Sequence, residues 1–105
     1  CCAIGPVITT VDEIGDGRNL RITCRLLRDG TIYYEGSINS SRISRSQADL
    51  NDCLLRDNSV LTGTVVSAGT GIMVPMEHCH QDGDVVEIEI EKVGVLRNRV
   101  RKLGK

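Results

Sequence analysis

Two stretches of this chain alternate apolar and polar residues with a period of two. In residues 19–27, Leu20, Ile22, Cys24 and Leu26 alternate with Arg21, Thr23 and Arg25, the pattern of a half-buried strand. Asp29-Gly30 follows, a pair that takes the positive φ angles of a tight hairpin turn, so residues 31–37 read as the returning strand. In residues 85–91, Val86, Ile88 and Ile90 fall on one face and Glu87, Glu89 and Glu91 on the other. Gly94 breaks or bulges that strand, and residues 95–100 continue the sheet. A further short strand is expected over residues 64–67, running into Gly69-Thr70-Gly71.

Only one segment reads as a helix. Ser46 has the chemistry of an N-cap and Asp49 stands three residues on, as in a capping box. The helix places Leu50, Cys53 and Leu54 on its inner face and ends near Asp57-Asn58. The rest is punctuation: a short apolar segment after Gly5-Pro6, a loop over residues 12–17, a serine-rich polar stretch over 37–46 and an irregular loop over 73–82. No internal repeat or linker divides the chain. The pattern predicts a mainly β unit, a mixed sheet folded into an open roll with one short helix.

Composition narrows this picture. The chain of 105 residues has no Phe or Trp and only two Tyr, so Val, Ile, Leu, Ala and Cys must fill its core. Aromatic side chains usually dominate core energetics, and a domain of this size buries a modest share of its surface. Such a unit is expected to lean on further chain or on a second subunit, as a homodimer or higher homo-oligomer.

The formal net charge of −1 provides no field for nucleic acid or anionic lipid. The basic end (Arg97, Arg99, Arg101, Lys102, Lys105) lacks a stacking platform and reads as a solvated terminus. No run approaches the ~18 apolar residues of a membrane span. The five cysteines (Cys1, Cys2, Cys24, Cys53, Cys79) are odd in number and without C-x-x-C spacing, which points to free thiols in a reducing cytoplasm.

Several short motifs carry chemistry. Ala68-Gly69-Thr70-Gly71-Ile72 presents a hydroxyl and backbone N–H groups on a glycine-flanked turn, an arrangement suited to a carboxylate or an enolate oxygen. Ser40 and Ser41 lie in the serine-rich loop, where turn chemistry and hydroxyl recognition of a polyol are both open. Glu87 and Glu89 share a strand face, a workable geometry for a hard cation, although alternation makes a solvated face the simpler reading. His78-Cys79-His80 holds three competent zinc ligands but lacks a fourth partner and the usual spacing, so it reads as a loop.

Taken in order, Gly69-Thr70-Gly71-Ile72 with Val74-Pro75, Gly83-Asp84 opening the alternating strand, and Gly94-Val95-Leu96-Arg97-Asn98 resemble the C-terminal end of the fumarylacetoacetate hydrolase-like superfamily. Cys2-Ala3-Ile4-Gly5-Pro6 is similar to the segment after that family's active-site lysine. Asp12-Glu13-Ile14 with Asp16 and Asn19-Leu20 is similar to the loop before its central hairpin. Glu35-Gly36-Ser37, the serine-rich loop and Arg45-Ser46 resemble the branch that dehydrates 2-keto-3-deoxy sugar acids. That branch usually carries threonine where this chain has Ala68, and an ordinary loop where it has Glu77-His78-Cys79-His80.

The resemblance implies a single catalytic domain of which residues 1–105 form the C-terminal segment, opening without a methionine inside the domain. It implies a small 2-oxo acid substrate held on Mg2+ (or Mn2+ or Ca2+), with the metal ligands and the lysine upstream and none in this segment. The implied reaction is a lyase dehydration through a metal-stabilised enolate, with a hydrolase cleaving a C–C bond of a 1,3-dicarbonyl acid as the alternative. The segment alone would be inactive. In this reading Gly69, Thr70, Ser40 and Ser41 contact substrate, and none is a catalytic residue. The motifs taken without the resemblance also accommodate a non-catalytic β interaction domain.

Overall fold

The computed structural model describes residues 2–15 and 17–104. Cys1, Asp16 and Lys105, which enter the cysteine count, the early acidic loop and the basic end, lie outside the described residues. The centre is a four-stranded sheet in the order β2-β1-β3-β4, built from β1 (Arg21–Arg28), β2 (Thr31–Asn39), β3 (Val85–Ile90) and β4 (Gly94–Arg99). All three pairings are antiparallel, so the sheet of the described residues is not the mixed one expected, while the mainly β class read from the alternation is the class observed.

The first hairpin turns where expected. Arg28 pairs with Thr31, and both turn residues have positive φ, Asp29 at 49° and Gly30 at 79°, matching the twist of the flanking strands. Leu26 pairs with Tyr34 but Leu27 with Ile32, so Tyr33 is the extra residue of a bulge, the irregularity that bends and re-aims a strand. Gly94 neither breaks nor bulges β3. The chain reverses through Glu91–Val93, Lys92 takes a φ of 63°, and Gly94 opens β4 opposite Ile90.

Two expectations for local structure fail for physical reasons. Residues 64–67 are not a strand: they are exposed and irregular. Strand preference measures the fit to a pleated neighbour, and no described strand pairs with them. Residues 12–14 belong to a one-turn helix, α1 (Val11–Ile14), closed by the Gly15 N–H on Val11 O at 2.7 Å. The expected helix is α2 (Gln47–Leu55), and its capping box is present in full: Ser46 Oγ accepts from the Asp49 N–H and Asp49 Oδ2 accepts from the Ser46 N–H. Leu50 and Leu54, four residues apart, are the half-buried positions, while Cys53 is exposed, contrary to its expected place on the inner face.

The core is small, as the composition requires. Leu20, Cys24 and Leu26 are its buried apolar residues, and burial pushes the Cys24 thiol pKa up. The sheet has two unlike faces. One carries Ile22, Cys24, Leu26, Ile38, Ile88 and Ile90; the other carries Thr23, Arg25, Glu35, Glu87 and Glu89. Residues 68–73 cross the apolar face over β2, and two glycines permit the approach. A Cβ on Gly36 would lie 2.6 Å from the Tyr34 hydroxyl and 3.1 Å from Ile72 Cγ2, and a Cβ on Gly71 would collide with Ile38 Cδ1. The Tyr34 hydroxyl donates to Met73 O at 3.3 Å, fastening the far end of this crossing.

Candidate functional site

The apolar face is not fully covered, and the uncovered part is a cavity of about 570 Å3. Ile22, Ile38, Ile88 and Ile90 make its floor, which is why Ile88, expected to face inward, is 37% exposed. Residues 68–72 form one wall. A second wall is the loop from Asn39 to Arg45, with Leu50 of α2 also in the lining. An apolar floor with a few convergent polar groups is the common character of small-molecule sites.

Of the residues expected to contact a ligand, Gly69, Thr70 and Ser40 line this one cavity, and Ser41 does not. Gly69 takes a φ of 94°, a conformation that glycine adopts without steric penalty. The Thr70 hydroxyl donates to Ile72 O and accepts from the Ile72 N–H, both at 3.2 Å. The bond from the Ile72 N–H fixes the oxygen, while the hydroxyl proton can rotate from Ile72 O to a ligand. Among the described residues the Thr70 and Gly71 N–H groups meet no acceptor, so this wall presents free donors.

Ser40 is different. It is 9% exposed, and its Oγ accepts from the Leu20 N–H at 2.9 Å and the Asn19 N–H at 3.0 Å while donating to Gly17 O at 2.9 Å. These bonds hold the entry to β1 against the end of β2. Next to it, the Ser41 N–H donates to Asn39 Oδ1 at 2.9 Å, an Asx-type turn.

The same wall contains residues that the sequence reading did not single out as ligand contacts: Asn39, Arg42, Ser44 and Arg45. The signal was there to be read, because residues 36–48 hold two arginines and no acid. Among the described residues no Asp or Glu lines the cavity.

Away from the residues that line the cavity, Asp84 anchors the segment that precedes β3. It is 2% exposed. Arg28 grips both of its oxygens at 2.9 Å, the Tyr33 hydroxyl donates to Oδ2 at 3.0 Å, and the Gln81 N–H donates to Oδ2 at 2.7 Å. The Arg28 guanidinium, before the opposing effect of burial, holds the Asp84 carboxyl well below the usual carboxylate range. Arg28 also stacks 4.6 Å from the Tyr33 ring centroid and donates to Cys79 O. This clasp ties residues 79–84 to the bulged hairpin.

The metal candidates do not assemble. Glu87 pairs with Arg97 at 3.1 Å and Glu89 with Arg25 at 2.7 Å, so the Glu87–Glu89 face is neutralised by guanidinium groups. His78 lies against Tyr34, with ring centroids 5.3 Å apart, and Cys79 Sγ donates to Met76 O. Among the described residues no group of three His, Cys, Asp or Glu side chains is placed to hold a metal ion. Nor is any described helix long and apolar enough to cross a membrane.

Comparison with known proteins places this geometry in context. The model of the family described as "Fumarylacetoacetate (FAA) hydrolase C-terminal" matches residues 1–101. A 2-dehydro-3-deoxy-D-arabinonate dehydratase of Saccharolobus solfataricus is 39% identical over 105 residues, which is 100% of this chain and 35% of that protein. A probable 2-keto-3-deoxyxylonate dehydratase of Haloferax volcanii is 34% identical over 100 residues, 95% of this chain and 35% of that one. Among solved structures, 2-keto-3-deoxy-D-arabinonate dehydratase complexed with magnesium and 2,5-dioxopentanoate superposes with a TM-score of 0.91 at 38% identity, covering 96% of this chain and 36% of that one. The chain thus spans about a third of the length of these relatives.

Proposed function

This chain belongs to the fumarylacetoacetate (FAA) hydrolase C-terminal family, and from that premise we propose that it is the substrate-holding C-terminal segment of a magnesium-dependent 2-oxo acid lyase. The reaction is loss of water from a 2-keto-3-deoxy sugar acid. The observation that carries this reading is the one cavity lined by the Thr70 turn, the Asn39–Arg45 loop and four isoleucines of the sheet, in a chain 39% identical to an arabinonate-type dehydratase.

In this proposal Gly69 and Thr70 meet the substrate directly. The turn supplies a hydroxyl and unpaired N–H groups at a fixed place, where charge that develops on a substrate oxygen is stabilised without reorganisation. Ser40 fixes the second wall through its backbone bonds, and Ser41, the next residue of that loop, is outside the cavity lining. Magnesium does not fit the described residues, since none of those that line the cavity is an acid. Its ligands are assigned to other parts of the catalytic domain, and residues 1–105 form one segment of that domain.

The remaining assignments follow the same reading. Cys2, Cys24, Cys53 and Cys79 are all free thiols, which supports a reducing cytoplasm. Ile8, Val11 and Leu61 are 86%, 72% and 79% exposed, an apolar surface suited to cover by further chain or by a second copy in a homo-oligomer. The four-isoleucine floor also supports a second reading, a hydrolase cleaving a C–C bond of an acylpyruvate-type acid, whose tail prefers apolar walls.

Thr70→Val in the full-length protein tests the assignment. Removing one hydrogen bond to developing charge costs about 2.7–4 kcal/mol, or about 10²–10³ in turnover. The loss is expected in kcat/KM, measured by steady-state kinetics, with a small change in thermal midpoint. A folded variant with wild-type kcat/KM would remove Thr70 from the site.

A further inference from the structure

Two guanidinium groups line the cavity without a partner. Arg42 and Arg45 both belong to the wall formed by the loop after β2. Neither takes part in an ion pair among the described residues, unlike Arg25 with Glu35 and Glu89, Arg28 with Asp84, and Arg97 with Glu87. The acid that feels Arg45 is Asp49, whose carboxylate is held by Ser46 in the α2 cap. Arg25 and Arg97 of the sheet are matched to acids on its polar face, whereas Arg42 and Arg45 line a cavity with an apolar floor and, among the described residues, no acid in its lining.

A neutral polyol tail does not require two full positive charges. A carboxylate does, because guanidinium presents a planar fork that matches carboxylate geometry, and such bonds are roughly twice as strong as neutral ones. We propose that Arg42 and Arg45 form an anion subsite that selects 2-oxo acids with a second carboxylate at the end remote from the 2-oxo group, diacids in preference to acids with a neutral tail. The inference rests on the cavity being the 2-oxo acid site. It adds a specificity determinant to the cavity that the Thr70 turn also lines.

The test compares two ligands of matched length in the magnesium-loaded full-length protein, by calorimetry at constant ionic strength. 2-Oxoglutarate ends in a carboxylate and 2-oxopentanoate in a methyl group. The wild type is expected to bind 2-oxoglutarate at least about tenfold more tightly, the scale of one charge-assisted hydrogen bond. In Arg42→Gln and Arg45→Gln that ratio is expected to fall toward one, and Arg42→Lys, which keeps the charge without the fork, is expected to fall between. Equal affinity for the two ligands in the wild type, or equal losses for both in the variants, would overturn the anion subsite while leaving the 2-oxo acid site standing. Failure to bind either ligand would overturn the site reading itself, and the subsite with it.

Discussion

Ser40→Ala separates a hydroxyl that holds the protein together from one that holds a ligand. The Ser40 side chain is 9% exposed and satisfies the Leu20 and Asn19 N–H groups and Gly17 O at 2.9–3.0 Å. The Leu20 bond is buried, and leaving that N–H without an acceptor costs about 1–3 kcal/mol. The Asn19 bond is part-buried, and its loss adds about 0.5–1.5 kcal/mol, the net value of an ordinary hydrogen bond. Gly17 O has a second lone pair for water, so the sum is about 1.5–4.5 kcal/mol. Urea unfolding of the full-length variant, followed by circular dichroism, is expected to show this loss of stability. Kinetics on the folded fraction accompany it. A stability change below about 0.5 kcal/mol together with a hundredfold loss of kcat/KM, about 2.7 kcal/mol in transition-state binding, would refute the reasoning and make Ser40 a substrate contact.

Two further predictions concern the segment that precedes β3. Asp84 has a depressed carboxyl pKa because Arg28, Tyr33 and the Gln81 N–H bind its charged form. Its stabilisation is therefore fully present above the unfolded-state value of about 4 and is lost as pH falls below it. Thermal midpoints measured from pH 6 downward should drop more steeply in the wild type than in Asp84→Asn, which starts lower at pH 6; parallel curves would contradict the clasp. Changing His78 and His80 together to Gln should leave zinc content, measured by atomic emission after dialysis, at the wild-type level, and loss of one stoichiometric zinc would restore the ligand reading.

The sheet was legible because its physics is local. The alternation at Leu20–Leu26 and Val86–Ile90, with Asp29-Gly30 between the first two strands, fixes which side chains share a face, and the β1–β3 register then follows the same apolar set. The α2 cap was legible for the same reason, since Ser46 and Asp49 satisfy each other over three residues. Residues 64–67 misled because Thr64, Val65 and Val66 are good strand formers whatever lies beside them. Strand pairing is decided by a neighbour that the local sequence does not specify.

The site divides in the same way. The Thr70 turn announces itself through its glycines, but its approach to β2 depends on Gly36 and Gly71 being small where Tyr34, Ile72 and Ile38 converge, a coincidence of distant positions. Ser40 looked like one hydroxyl among several in a serine-rich loop. Only the fold shows that its oxygen is committed to backbone groups some twenty residues away in sequence. Arg42 and Arg45 stand out only once the fold places both in a cavity whose described lining holds no acid.

The central claim is that this chain holds a 2-keto-3-deoxy sugar acid for dehydration. Its most direct test is the identity of the product, followed by NMR, when the full-length protein with magnesium is given 2-keto-3-deoxy acids that carry either a hydroxymethyl or a carboxylate end. The account predicts loss of one water with the carbon chain intact, at a rate that falls when magnesium is chelated. Cleavage of the carbon chain, or no turnover of either acid by a folded, magnesium-loaded protein, would contradict it.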